Sequence, residues 1–134
     1  MKRKIFVIDD DPMVLFIHEA ILDESDLMDP IQCFLSAEAA LAAIDECEDM
    51  QAQFLLLLDI NMPVMTGWQM LDELMKHPRR ENIFVVMVTS SVNESDEERA
   101  YSYGLVLDYI SKPINTEDHL ERLKLHQQLS CFFR

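Results

Sequence analysis

The residues in this chain that can do chemistry stand where apolar runs stop. Lys4–Ile8 runs into Asp9, Asp10 and Asp11, and Phe54–Leu58 into Asp59. Ile83–Val88 ends at Thr89, and Val106–Ile110 leads through Ser111 to Lys112. An ionisable group just past a buried strand sits where open α/β sheets bind their ligands. Three carboxylates drawn into one shallow site repel: two unit charges ~4 Å apart cost about 4 kcal/mol at an effective dielectric near 20. A hard dication relieves that conflict. Mg2+ takes oxygen ligands, prefers one or two carboxylates, and keeps waters and a phosphate oxygen in its shell. Asp10 and Asp59 are therefore read as direct ligands and Asp9 as a ligand through water. The backbone carbonyl of Asn61 comes within reach once the chain turns, and Mn2+ is the alternative ion. Phosphoryl transfer needs a nucleophile, a metal, a positive charge and hydrogen-bond donors. Asp59 can be the nucleophile, giving an acyl phosphate; Lys112 supplies the charge and the Thr89 hydroxyl a donor.

The elements that must position these groups follow from the apolar pattern. Strands are expected over 4–9, 31–35, 54–59, 83–89 and 106–110, rich in Val, Ile, Leu and Phe. Helix starts are marked by Asp11-Pro12, by Ser36 before the Ala-rich run 37–47, and by Thr66 with Gln69. Ser91 with Glu94 gives a fourth, and Asn115 before Thr116, Glu117 and Asp118 a fifth. Pro78 is expected to end the third helix and Gly104 the fourth. Met13, Ile17, Ala20 and Ile21 are expected to form the core face of the first helix, and Leu120 and Leu123 that of the last. Strands alternating with helices make a parallel sheet covered on both faces, with all strand ends on one edge.

The composition narrows the class. The chain has 134 residues, the size of one domain, with 11 basic and 25 acidic residues for a net charge of −14. Phosphate backbones and anionic membrane surfaces repel such a chain, so neither direct nucleic-acid binding nor membrane insertion is expected. No apolar run reaches the ~18 residues of a membrane span, and a cytoplasmic location is expected. Cys33, Cys47 and Cys131 lack CxxC spacing and are expected to be buried small hydrophobes. The scattered histidines, including His119 and His126 seven apart, give no metal set. Trp68 is expected to pack at the start of the third helix.

Val7-Ile8-Asp9-Asp10-Asp11-Pro12, Leu58-Asp59-Ile60-Asn61-Met62-Pro63 with Met65-Thr66-Gly67, Val88-Thr89-Ser90, and Tyr109-Ile110-Ser111-Lys112-Pro113 occur in that order. Together they make the chain resemble a receiver domain of a two-component response regulator, over residues 3 to about 128. The likeness is to the single-domain, chemotaxis-regulator type. The resemblance implies a flavodoxin-like (βα)5 fold with strand order 2-1-3-4-5. It implies Mg2+-dependent transfer of a phosphoryl group from a histidine kinase or histidine phosphotransfer protein to Asp59, in a phosphoprotein that is not a conventional turnover enzyme. It implies Thr89 and Tyr109 as coupled switch residues and a cis peptide between Lys112 and Pro113. Asn61 and Ser91 fall where the family tunes hydrolysis of the acyl phosphate; Ser91 brings no carboxylate there.

Three other functions are weighed. A haloacid-dehalogenase-like phosphatase needs Asp-x-Asp, and this chain has Asp59-Ile60-Asn61. A flavin module needs a phosphate loop after the first strand, where acid stands instead. A receiver that only binds partners is disfavoured by Asp59, Lys112 and Thr89 together. One domain over 1–134 is expected, with a tail at 129–134 whose Phe132 and Phe133 fold back on it. The chain ends about 20 residues after Pro113, so a stand-alone receiver with no output domain is expected. Its output surface would be residues 92–128, and a homodimer through that surface is left open.

Overall fold

The computed structural model describes residues 2–91, 93–114 and 118–134. Five strands form one parallel sheet in the order β2-β1-β3-β4-β5. They are β1 (Arg3–Ile8), β2 (Ile31–Phe34), β3 (Gln53–Leu58), β4 (Ile83–Thr89) and β5 (Val106–Ser111). The helices between and after them are α1 (Pro12–Asp23), α2 (Ala37–Glu46), α3 (Gly67–Met75), α4 (Glu94–Tyr101) and α5 (His119–Lys124). This is the expected doubly wound, flavodoxin-like architecture.

Alternation along the central strands separates two cores. Phe6, Ile8, Phe54, Leu56, Leu58, Val85 and Met87 face α2, α3 and α4 through Ala40, Ile44, Met70, Leu71, Leu74 and Ala100. Ile5, Val7, Leu55, Leu57, Val86, Val88 and Ile110 face α1 and α5 through Leu15, Leu22, Leu120 and Leu123. Burial on both faces is why β3 reads as an unbroken apolar run rather than an alternating one. The expected face Leu120–Leu123 of α5 is thus buried.

Register is regular except at one place. Val85 pairs with Val106, but Val86 pairs with Asp108, so β5 carries an extra residue at that step. A bulge re-aims the side chains that follow it, here Asp108 and Tyr109. At the C-terminal ends, the Asp59 N–H donates to the Ile8 carbonyl (3.1 Å) and the Lys112 N–H to the Thr89 carbonyl (3.0 Å). The C-terminal edge of the sheet is therefore tied strand to strand.

Most helix starts follow the sequence. Asp11 caps α1 by accepting from the Met13 N–H, with Pro12 at the first helical position; Ser36 caps α2 through the Ala39 N–H. Thr66 and Gln69 form both bonds of the expected capping box on α3. Four expectations are corrected. Ser91 does not cap α4; Asn93 does, accepting from Ser95 N–H at 2.9 Å, because Ser91 Oγ instead donates to Asp96 Oδ2 at 2.7 Å. Gly104 is not a left-handed helix stop: no glycine has positive φ, and α4 closes at Ser102 with αR geometry. On α1 the covered residues are Leu15, His18 and Leu22, whereas Met13 is 65% and Ile17 43% exposed. The apolar stripe chosen from sequence points largely outward because the sheet covers the neighbouring face. The cysteines are half-buried rather than buried; Cys33, beside Glu19 at 3.3 Å, has its thiol pushed up to about 12 by burial and that carboxylate.

The helix start expected at Asn115, Thr116 and Glu117 lies outside the described residues. α3 ends at Met75, before Pro78, as expected. The chain end folds back, as expected of the two phenylalanines. Phe132 is fully buried, Phe133 bridges antiparallel to Leu27, and the Arg134 N–H reaches the Asp26 carbonyl at 2.8 Å. The core therefore continues past residue 128. No helix among the described residues is long and apolar enough to cross a membrane.

Candidate functional site

Asp9, Asp10 and Asp59 meet at the C-terminal edge of β1 and β3, each offering an oxygen within 4.8 Å of the others; Asp9 and Asp59 are buried and Asp10 is exposed. Lys112 arrives from the end of β5. Its Nζ lies 2.5 Å from Asp9 Oδ2 and 3.2 Å from Asp59 Oδ2. One cation thus serves two buried carboxylates. Each carboxylate has one further anchor on the backbone: Asp9 Oδ1 accepts the Asp11 N–H (2.9 Å) and Asp59 Oδ1 the Ile60 N–H (2.8 Å).

The electrostatics follow from this sharing. Burial, then the Asp9 charge, push the Asp59 carboxyl above its ordinary value, and Lys112 only partly opposes them. Burial acts downward on Lys112, but Asp9 and Asp59 outweigh it and raise its pKa, so the ammonium stays charged.

Thr89 closes β4 with its side chain fully buried. Its Oγ1 accepts the Ser91 N–H at 3.3 Å, an interaction that uses an oxygen lone pair and not the hydroxyl hydrogen. The Tyr109 hydroxyl, at the end of an inward-packed ring, donates to the Ser91 carbonyl at 3.3 Å. Thr89 and Tyr109 therefore hold the same residue from two sides. Asn61 is exposed on the loop that follows Asp59. The Lys112–Pro113 peptide is cis, as the resemblance implied.

The loop from Asp59 to α3 depends on a residue that the motif reading quoted without a role. A Cβ at Gly67 would stand 2.4 Å from the Asp59 carbonyl oxygen and 2.9 Å from Ile60 Cα. Only glycine allows that approach, and its N–H donates to the Ile60 carbonyl at 2.8 Å. The same loop holds Val64 at φ 69°, an uncommon conformation for a β-branched residue. Trp68 packs as expected at the start of α3, and it also reaches α4, where Arg99 Cζ lies 4.3 Å from its ring centre, and stacks on Tyr103 just beyond that helix.

A family model described as the response regulator receiver domain matches residues 5–124. The chain belongs to that family. Among relatives, the transcriptional regulatory protein AruR of Pseudomonas aeruginosa is 30% identical over 92% of this chain and 49% of its own length. A two-component response regulator from Cytophaga hutchinsonii superposes with a TM-score of 0.78 at 27% identity, covering 91% of this receiver and 94% of that chain. A response regulator receiver protein from Dyadobacter fermentans gives 0.79 at 26% identity, covering 91% and 95%. The receiver spans less than two thirds of the length of several curated relatives, AruR among them. It is a module of two-component signalling, and the likeness extends over the fold that carries Asp9, Asp10, Asp59, Thr89 and Lys112.

Among the described residues the Asp9–Asp10–Asp59 group stands alone as a cluster of metal-ligating side chains. His77 instead pairs with Asp45 (2.6 Å) and His126 with Asp108 (3.1 Å). The sequence reading missed His18, which is buried under this site, and Asp108, held by Arg122 and His126; neither belongs to a motif.

Proposed function

We propose that this receiver accepts a phosphoryl group on Asp59 from a phosphohistidine of a kinase or phosphotransfer protein. The observation that carries the reading is the Lys112 ammonium set between two buried carboxylates, Asp9 and Asp59, of which Asp59 is left under-compensated. An Asp59 carboxylate oxygen forms the new P–O bond as the donor's P–N bond breaks, and the imidazole leaves with the electron pair and takes up a proton. Lys112 pairs with a phosphoryl oxygen in place of Asp59 Oδ2, and the Thr89 hydroxyl hydrogen turns to another.

The donor set fits a hard dication: all oxygen, three carboxylates, one of them exposed. Asp10 and Asp59 would hold Mg2+, or Mn2+, directly, with Asp9 through water and Asn61 through its backbone carbonyl. Bound there, the ion supplies the positive charge that the phosphoryl oxygens and carboxylates lack.

The downstream face is formed by α4, β5 and α5. A new bond from Thr89 would draw on the Ser91 contact that Tyr109 shares. Phosphorylation would thereby bias two pre-existing arrangements of that face toward one that a partner protein or a second copy recognises. The test is intact mass after incubation with acetyl phosphate and Mg2+. One added phosphoryl group is expected on the native chain and none on Asp59→Asn; an undiminished adduct on that variant overturns the assignment.

A further inference from the structure

A histidine lies where the inner face of α1 otherwise carries leucine. His18 is 2% exposed, between Leu15 and Leu22 on the covered side of the helix. Its Nε2 lies 3.4 Å from the backbone N of Ile114, across 96 positions of sequence. Ile114 is itself 2% exposed. A buried N–H without an acceptor is costly, so this contact answers a requirement of the loop as well as of the ring.

That loop is the one that carries Lys112. The donors at 112–114 can be accounted for one by one. The Lys112 N–H is taken by the Thr89 carbonyl at 3.0 Å. Pro113 has no N–H. The Ile114 N–H goes to His18. The turn is thus pinned at its front to β4 and at its back to α1. α1 also holds the opposite side of the site, because its capping residue, Asp11, gives its N–H to Asp9. One helix therefore spans both members of the Lys112–Asp9 pair.

We propose that His18 is a positioning residue for phosphoryl transfer: its Nε2 accepts the Ile114 N–H and fixes the turn that presents Lys112 to Asp9 and Asp59. The role requires a neutral ring with the proton on Nδ1. Burial keeps it neutral, pushing its pKa down, with Asp9 acting upward and Lys112 downward. The inference rests on the phosphoryl-transfer reading for its kinetic consequence but not for the bond itself.

Two measurements on the unmodified chain test the bond. Nitrogen-15 spectra should show His18 Nε2 unprotonated and Nδ1 protonated, and the Ile114 amide should exchange slowly. An Nε2–H tautomer overturns the proposal. Two variants then test the role. His18→Leu fills the space without an acceptor, and His18→Gln restores an oxygen near the position of Nε2. His18→Leu should slow adduct formation from acetyl phosphate about 10-fold at saturating Mg2+, the scale expected when a reacting group is displaced by less than 1 Å. Its Ile114 exchange should quicken while Mg2+ affinity holds within about twofold. His18→Gln should recover rate and protection together. A His18→Leu variant as fast as the native chain, or a His18→Gln variant as slow as His18→Leu, overturns the positioning role. If the native chain forms no adduct, the phosphoryl-transfer reading fails instead, and the tautomer and Ile114 exchange still decide whether His18 holds the turn.

Discussion

Asp59 and Asp108 are both buried aspartates on the sheet, both beside a cation, and burial acts upward on both carboxyls. They end in opposite states. Asp108 is held below its ordinary value because Arg122 grips both its oxygens, at 3.0 and 2.8 Å, and His126 and the Tyr109 N–H add further bonds. Asp59 is pushed above it, with one backbone N–H and a share of Lys112 that Asp9 holds more closely. A carboxylate fully supplied with donors has nothing left to offer a ligand and serves the fold, here by joining α4 through Tyr101, β5 and α5. One that is under-supplied is destabilised when empty and gains most when a cation or phosphoryl group arrives. The difference separates a structural anion from a reactive one.

The largest expected effect tests that division in chemistry. Asp59→Asn should lose the acetyl phosphate adduct entirely, whereas Asp108→Asn should keep it, within about threefold in initial rate at a temperature where it is folded, since Asp108 does not touch the reacting atoms. Mass spectra taken over time distinguish the two. Loss of the adduct in both would mean that the Asp108 network is part of the reacting site.

In stability the order reverses. Asp108→Asn leaves Arg122 without its charge partner and should cost about 2–3 kcal/mol, less than a fully buried pair because the arginine side chain is 48% exposed. Asp59→Asn removes one of the three clustered like charges and should raise metal-free stability by about 1 kcal/mol. Urea melts in a metal chelator read both. Equal signs would erase the distinction.

Gly67→Ala presses on the reactive region without touching a charge. A methyl 2.4 Å from the Asp59 carbonyl oxygen forces the backbone that carries the nucleophile to move. About 2 kcal/mol of destabilisation and slower adduct formation are expected. Gly104→Ala meets nothing within 4 Å and should be near neutral by the same melts.

Much of this arrangement was open to reading because strong local rules governed it. Leu55 to Leu58 are buried on both faces, so composition alone marked β3, and the groups past each strand end had to share an edge. Thr66 with Gln69 is a local pairing and appeared as expected. What was hidden depends on distant chain. The Ser91 hydroxyl is drawn to Asp96, so Asn93 takes the cap. Apolar periodicity in α1 marks Met13 and Ile17 as well as Leu15 and Leu22, and only the sheet decides which stripe is covered. His18 interrupts the covered stripe, and its reason lies at Ile114. Asp108 meets Arg122 through a bulge in β5 that no local pattern announces.

The smallest effect sharpens the comparison most, because the two carboxylates should report in different pH windows. The Asp108 pKa is lowered on folding, so the stability it confers is present above the unfolded value, near 3.8, and is lost as pH falls through its lower folded value. The deficit of Asp108→Asn against the native chain should therefore persist down to about pH 4 and close only below it. The Asp59 pKa is raised on folding, so its contribution is fully present below the unfolded value, again 3.8, and is lost as pH rises through the folded one. The advantage of Asp59→Asn should accordingly be largest near neutral pH and shrink while pH is still above about 4. Metal-free melts of the three chains at half-unit steps would show, as pH falls, the Asp59→Asn gap closing before the Asp108→Asn gap does. If both gaps close below pH 4, Asp59 is as well supplied with donors as Asp108, and the site is not poised for a ligand.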